Sequence, residues 1–410
     1  MESNNKGKVS ISALLKRLST RESTASVKAE EVAAALALVF NDAVSPVQFA
    51  LLLWALHVQE GDTDAKVLSQ CAKVMREAAA QVDEVELIEV VRRRGRGEGR
   101  YGGGLCDIVG TGGDGHDTFN VSTTSSIIAS ALLMMAKHGN NSSTSLSGSA
   151  DLLQHAPKPP VIAATNHETL PHIYEMTNYA FLYAREWHPG MKYAAAVRKE
   201  VPVRTIFNLL GPLANPVHDT GLVECRILGV ARKDIGMNFA EALLLGGAKK
   251  AMVVCGDENL DEISCAGVTH CWYIHTDDDE GAKPTITKLK ISPEDFGLPT
   301  HSLDDVHGGK GPGENAEILM RILRNELPRD HPVLCFVLLN VAALLTVAGI
   351  CEADTSSMGA GDDGQVIKER GPGGLRWKEG LRRARWCVES GAALKQWEAF
   401  VEVTNAVARS

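Results

Sequence analysis

Positive charge is what this 410-residue chain is short of: 42 Lys and Arg stand against 51 Asp and Glu, a formal net charge of −9. That sign excludes broad binding to nucleic acid or to an acidic membrane surface, both of which need a positive field. No CxxC pair occurs among the nine cysteines, and Cys265 and Cys271 have no second pair beside them. Zinc sites and a disulfide framework are thereby excluded, and the thiols read as free in a cytoplasmic protein. The opening MESNNKGKVS lacks the apolar core of a signal peptide, and no internal repeat is found. A single uncharged run is long enough to be weighed as a membrane span, residues 333–350, VLCFVLLNVAALLTVAGI. Asn340 sits within it and neither an aromatic belt nor a basic flank follows, so it reads as a buried helix of a soluble core.

What is present is a globular composition, 44% apolar and rich in glycine, with length for two or three domains. Residues 9–84 carry helical patterns only, such as Ile11, Leu14, Leu15 and Leu18 on one face. Ser45, Pro46 and Gln48 form a start signal with a capping box, and that helix is expected to stop at Gly61. We therefore expect a helical domain over 1–88. Residues 89–104, EVVRRRGRGEGRYGGG, read as a basic, glycine-rich, solvated linker rather than a nucleic-acid patch. From Leu105 the pattern becomes α/β. LCDIVG, CRILGV (225–230) and AMVVCG (251–256) are short buried strands, and STTSSIIASALLMMA opens a helix rich in hydroxyls. Strands alternating with helices predict a mostly parallel central sheet with helices packed around it. TDDDEGAKP (276–284) is an acidic surface turn, and 352–374 has the composition of a disordered insertion.

Four stretches carry chemistry. In GTGGDG (110–115), which follows the first strand, dense glycine lets backbone amides turn onto an anion ahead of a helix N-terminus. It is neither GxGxxG nor a Walker loop. KHGNNSSTSLSGSADLL (137–153) is rich in donors and free of negative charge until Asp151. The stretch from His188 to Pro216 brings Arg198, a fork-shaped donor suited to a carboxylate. CGDENLDEIS (255–264) brings adjacent Asp261 and Glu262, hard oxygen ligands that suit Mg²⁺ while leaving positions for water and phosphate. Each alone also reads as an ordinary turn or surface pair; their combination is coherent.

In this order and spacing, GTGGD…TFNVST, KHGN…SGSADLL, HPGMK…RTIFNLLGPLANP and LDE resemble the anthranilate phosphoribosyltransferase family, over residues 9–405. The resemblance implies a reaction: 5-phosphoribosyl 1-pyrophosphate and anthranilate give N-(5-phosphoribosyl)anthranilate and pyrophosphate, in tryptophan biosynthesis. It implies a helical domain, completed by helices near 168–200, hinged to an α/β domain of 105–167 and 201–410, and a homodimer through the small domain. Donor contacts fall to Gly110, Gly113, Asp114, Thr118, Asn120, Val121, Ser122 and Thr123. They continue through Lys137, His138, Gly139, Asn140, Asn141, Ser142, Ser143, Thr144 and Ser145 to Ser149. Gly110, His138, Asn140, Arg198 and Pro212 would meet anthranilate, and Ser122, Asp261 and Glu262 would ligate Mg²⁺. Two positions depart from the family pattern, Asn141 for an arginine and Asn259 for a glycine.

The chemistry asks for little else. An aromatic amine is a weak nucleophile, so the sugar carbon must gain cationic character as pyrophosphate departs. Charge stabilisation of the leaving group and positioning supply most of the help, and no dedicated base or nucleophile is expected. A pyrimidine nucleoside phosphorylase is the competing enzyme reading, against which KHGN and LDE weigh. A non-catalytic nucleic-acid-binding relative would need a basic face, and the only dense basic run is 92–96.

Overall fold

The three apolar runs expected as strands are strands, and four more join them. The computed structural model of the chain describes residues 7–142, 147–276, 281–309 and 311–409. Its strands are β1 (Leu105–Gly110), β2 (Met134–Gly139), β3 (Tyr179–Tyr183), β4 (Val223–Gly229), β5 (Ala251–Gly256), β6 (Thr269–His275) and β7 (Thr285–Ile291). They form one sheet in the order β3-β2-β1-β4-β5-β6-β7. The first five run parallel, and β6 and β7 add an antiparallel edge. Strand order reverses between β1 and β4, which opens a crevice at their carboxyl ends where ligands bind in such sheets.

The run STTSSIIASALLMMA divides instead of continuing as one helix. Val121–Ala129 is helical, and Met134 and Met135 open β2. A strand buried on both faces reads as continuous apolar sequence, with no period to separate it from a buried helix. The run at 333–350 is the helix Pro332–Ala348, buried at every position from Val333 to Ala348. Among the described residues no helix is long and apolar enough to cross a membrane. All nine cysteines are unpaired and buried.

Two hydrophobic cores divide the chain differently from the expected boundaries. Helices Ala29–Phe40, Pro46–Val58 and Ala65–Glu77 share a core with Lys192–Glu200 and Phe207–Leu213, built on Leu36, Phe49, Leu53, Leu68, Val197 and Phe207. This core runs on into the sheet face carrying Leu228, Val253 and Ile274. The helix Leu170–Met176 and β3, expected with the small domain, instead pack in the other core through Ile173, Tyr174 and Phe181. So do Leu87, Val90 and Val91 of the helix Glu84–Arg94.

Residues 89–104 are solvent-facing as expected, with Arg92, Arg93, Arg94, Arg96 and Arg100 exposed, but they are tied down. Arg92, Arg93 and Arg94 form the last turn of that helix, where cations suit the dipole. Arg93 pairs with Glu175, Arg94 donates to Asn178 and Arg96 to Ser357. A Cβ on Gly95 would lie 2.0 Å from Gly103 O, so glycine here permits a close crossing of backbone rather than looseness. The 352–374 stretch is likewise held down. Asp362 accepts from Ser356 Oγ and Met358 N, both at 2.8 Å, and pairs with Arg382 at 3.2 Å. Trp386 Nε1 donates to Ala360 O at 3.1 Å. Its composition hid this because part of the fixing comes from Arg382 and Trp386 on the following helix, Trp377–Glu389.

Ser45 caps its helix by accepting from Gln48 N, but no capping box closes; Gln48 Oε1 accepts from Ile11 N at 2.9 Å instead. That helix ends at Val58, and Glu60, not Gly61, takes the left-handed turn with φ 58°. The acidic turn joins β6 to β7, and its residues 277–280 lie outside those described.

Candidate active site

Gly110 ends β1 directly beside Gly229 of β4. A Cβ on Gly229 would stand 1.6 Å from Asp261 O, and one on Gly110 2.3 Å from Asp261 Oδ2. Glycine at both strand ends thus lets the 257–262 turn settle on the crevice. Gly112 N donates to Asp261 Oδ2 at 2.5 Å, and Asp261 N donates to Asp114 Oδ2 at 3.4 Å. Asp114 Oδ1 also accepts from His116 N at 3.1 Å. An aspartate within a phosphate-type loop is thereby explained: it ties the loop's own amide to the acidic turn. Asn259 adopts φ 66° and donates its N–H to Gly256 O at 2.9 Å, so asparagine sustains the turn in place of glycine.

Asn120 caps the helix Val121–Ala129, its Oδ1 accepting from Thr123 N at 3.3 Å. Thr118, Asn120, Val121 and Ser122 face a cleft of about 830 Å³, together with Gly110, Gly113, Asp114, Asp261 and Glu262. Thr123 does not; it is wholly buried, and its role is to give its amide to the cap.

Asp261 is buried and Glu262 half-buried, and among the described residues no cation forms an ion pair with either. Burial first, then Asp114, pushes the Asp261 carboxyl up to about 7. Burial and then Asp261 hold Glu262 well above the usual carboxylate range, and Lys137 draws it down. Burial lowers the Lys137 ammonium, against the pull of Asp107, Glu262 and Asp261. Its Nζ donates to His138 O at 3.1 Å. Adjacent buried carboxylates of this kind fit a divalent cation. Among the described residues no cluster of three His, Cys, Asp or Glu forms a closed cage. Mg²⁺, which keeps waters and phosphate oxygens in its shell, needs none.

The second loop leaves β2 at Gly139. Asn140 is exposed in the cleft, and Asn141 is fully engaged: its Nδ2 donates to Asp151 Oδ1 at 2.5 Å and its Oδ1 accepts from Tyr183 Oη at 2.6 Å. Asp151 Oδ2 accepts from both Ser142 N and Gly148 N, at 2.8 and 3.0 Å, and so closes the loop at both ends. The asparagine that replaces the family's arginine is therefore a structural clasp. Ser149 begins the next helix and lines the cleft. Ser143, Thr144 and Ser145 lie outside the described residues.

At the far end of the cleft stand His138, His188, Arg198, Phe207 and Pro212. The Arg198 guanidinium lies 4.9 Å from the Phe207 ring centroid, and burial lowers its pKa. Among the described residues no carboxylate pairs with it. His138 Nδ1 donates to Gly211 O at 3.2 Å, and its buried Nε2 has no partner among the described residues. Burial holds this ring well below the usual histidine range, so it is neutral and Nε2 is a bare acceptor.

Several residues of the site were missed. Arg204 holds Gly113 O and Gly112 O at 2.9 and 2.8 Å, turning the glycine loop's carbonyls away from the cleft. Asp107, buried in β1, accepts from Asn215 Nδ2 at 3.0 Å and lies beside Arg226 at 3.5 Å; the signal was a charge inside an apolar strand. Asn315 Oδ1 accepts from Gly309 N at 2.9 Å, and Gly308 N bonds Asp117 O at 3.3 Å, making another wall. The glycine run from Gly308 to Gly313 could have drawn attention to it. A larger recess, about 1040 Å³, opens at the opposite end of the strands. Among the charges of its wall, Lys250 pairs with Glu224 and Arg370 with Glu352.

Residues 102–394 match the a/b domain of a glycosyl transferase family, and residues 12–79 match that family's helical bundle domain. Anthranilate phosphoribosyltransferase of Schizosaccharomyces pombe is 37% identical over 377 residues, 92% of each chain. That of Colwellia psychrerythraea is 38% identical over 320 residues, 78% of each. Among solved structures, anthranilate phosphoribosyltransferase from Saccharomyces cerevisiae in complex with PRPP and Mg superposes with a TM-score of 0.77 at 28% identity, covering 97% of this chain and 99% of that one. The same yeast enzyme in complex with 4-fluoroanthranilate gives 0.75 at 27% identity, with 96% and 97% covered.

Proposed function

The chain belongs to the anthranilate phosphoribosyltransferase family, and from that membership we propose how its cleft carries out the transfer. The reaction moves the phosphoribosyl group of 5-phosphoribosyl 1-pyrophosphate to the amine of anthranilate and releases pyrophosphate. The observation that carries the reading is convergence: the 110–122 loop, residues 137–142 and 147–149, Arg198 and the Asp261–Glu262 turn line one cleft at the sheet's switch point.

The amides of the glycine loop and the hydroxyl of Ser122 receive the donor, and Lys137 lends positive charge beneath it. Ser122, Asp261 and Glu262 would hold Mg²⁺, which supplies positive charge to the departing pyrophosphate. Arg198 takes the anthranilate carboxylate, with Phe207 stacked behind its guanidinium. His138 Nε2 accepts a hydrogen bond from the amine and so aims its lone pair. Catalysis then rests on fixed charge and positioning, without a nucleophile from the protein.

Pure protein supplied with donor and Mg²⁺ is expected to deplete anthranilate fluorescence, and to leave it unchanged without either. Steady fluorescence from folded protein, together with phosphate-dependent release of thymine from thymidine, would replace this reading with a nucleoside phosphorylase.

A homodimer through the helical domain rests on one stripe. Val47, Leu51, Trp54 and Val58 are 70%, 50%, 49% and 51% exposed on the helix Pro46–Val58, at spacings that put them on one side. Aligned apolar exposure of this kind marks an interaction surface. Trp54→Glu is expected to halve the mass measured by light scattering, with the far-ultraviolet dichroism unchanged. A wild-type mass equal to one chain would refute the dimer. Nine unpaired cysteines support a reducing compartment, the cytoplasm.

A further inference from the structure

The helix Pro332–Ala348 is apolar along nearly its whole length, yet it carries one wholly buried carboxamide, Asn340. A buried amide is costly unless all its bonds are made. Asn340 makes two of its bonds to the backbone groups of one distant residue and a third within its own helix. Its Oδ1 accepts from Ile263 N at 3.1 Å, and its Nδ2 donates to Ile263 O at 3.1 Å and to Phe336 O at 3.1 Å. Ile263 directly follows Asp261 and Glu262.

The acidic pair thus sits between two anchors. On one side Leu260 is fully buried and its carbonyl accepts from Gly256 N at 2.8 Å. On the other the Ile263 peptide is held from within the core by Asn340. A side chain that both gives to and takes from one residue fixes its position and its orientation, which one bond cannot do.

We infer that Asn340 is a positioning residue for the Mg²⁺ ligands, setting cation affinity from behind the turn without touching substrate or ion. The inference rests on the assignment of Asp261 and Glu262 as ligands. Asn340→Leu removes both bonds while keeping the volume and the apolar helix. Asn340→Asp keeps the acceptor for Ile263 N but loses the donor to Ile263 O.

Two readouts test it on the full chain. Hydrogen exchange of the metal-free protein reports the peptide covering residues 257–268. Mn²⁺ binding in the presence of donor is followed by electron paramagnetic resonance. We expect exchange in that peptide to quicken at least about tenfold in both variants, with the β4 peptide unchanged. The Mn²⁺ dissociation constant should rise about tenfold, the scale seen when groups behind metal ligands are removed. The apparent KM for anthranilate should stay within about twofold, since nothing at Arg198 has changed. Should the leucine variant fail to fold, the aspartate variant carries the test. Wild-type protein that binds no Mn²⁺ would sink the ligand assignment, and this inference with it. Wild-type binding matched by both variants, with unchanged exchange, would overturn the inference alone.

Discussion

Asp261→Asn is expected to lower kcat/KM by about 10³-fold, in the range found when a key electrostatic group is removed, while raising the melting temperature of the metal-free protein. The two effects share one cause. The Asp261 carboxyl is buried beside Asp114, and its pKa stands at about 7. A free aspartyl group ionises near about 4. Between those values the folded chain holds a proton that the unfolded chain has released. Stability is therefore lost as pH rises through that window, and at pH 8 the ionised folded state bears the whole penalty. Asparagine keeps an acceptor for Gly112 N and removes the charge, relieving on the order of 1–4 kcal/mol. Mg²⁺ should raise the melting temperature of the wild type and leave that of the variant unmoved. For the same reason the ion must displace a proton below about pH 7, so its apparent affinity should weaken as pH falls. A variant that melts lower than wild type, or that keeps its activity, would contradict the assignment.

Arg198→Ala should raise the apparent KM for anthranilate about 100-fold and that for the donor by less than about threefold. A charge-assisted bond to a carboxylate contributes about 1.5–3 kcal/mol, or roughly 10- to 150-fold in binding. The upper part of that range applies here because the guanidinium is partly buried, stacked on Phe207, and among the described residues without a carboxylate of its own. Arg198→Lys keeps the charge but loses the planar fork, and should recover only part of the loss. Steady-state kinetics varying each substrate against a saturating partner separates the two constants. Equal rises in both would remove Arg198 from the carboxylate role.

What could be seen in the sequence was what short runs carry by themselves. GTGGDG, KHGN and LDE each state a chemistry, and the switch-point rule says where such loops gather. At 259 asparagine stands where the family has glycine, and it keeps the left-handed turn because few other side chains adopt one. What stayed hidden depends on partners distant in the chain. Nothing near Asn141 shows that Asp151 and Tyr183 occupy its amide, or that Arg204 clasps carbonyls about ninety residues away. Glycine misled in one direction: Gly95 and Gly103 looked like looseness and serve contact. The 352–374 stretch misled in the same direction, because loop composition records the lack of regular structure and not the lack of bonds.

The chain's thiols have a consequence for its ageing. Every thiol is enclosed, and burial raises the pKa of Cys71, Cys255, Cys265 and Cys351 to about 12. Alkylating reagents attack the thiolate, so the native cysteines offer them almost nothing. Chemical damage must then wait for the polypeptide to breathe, and the pace of thiol loss becomes a clock for rare excursions from the native state.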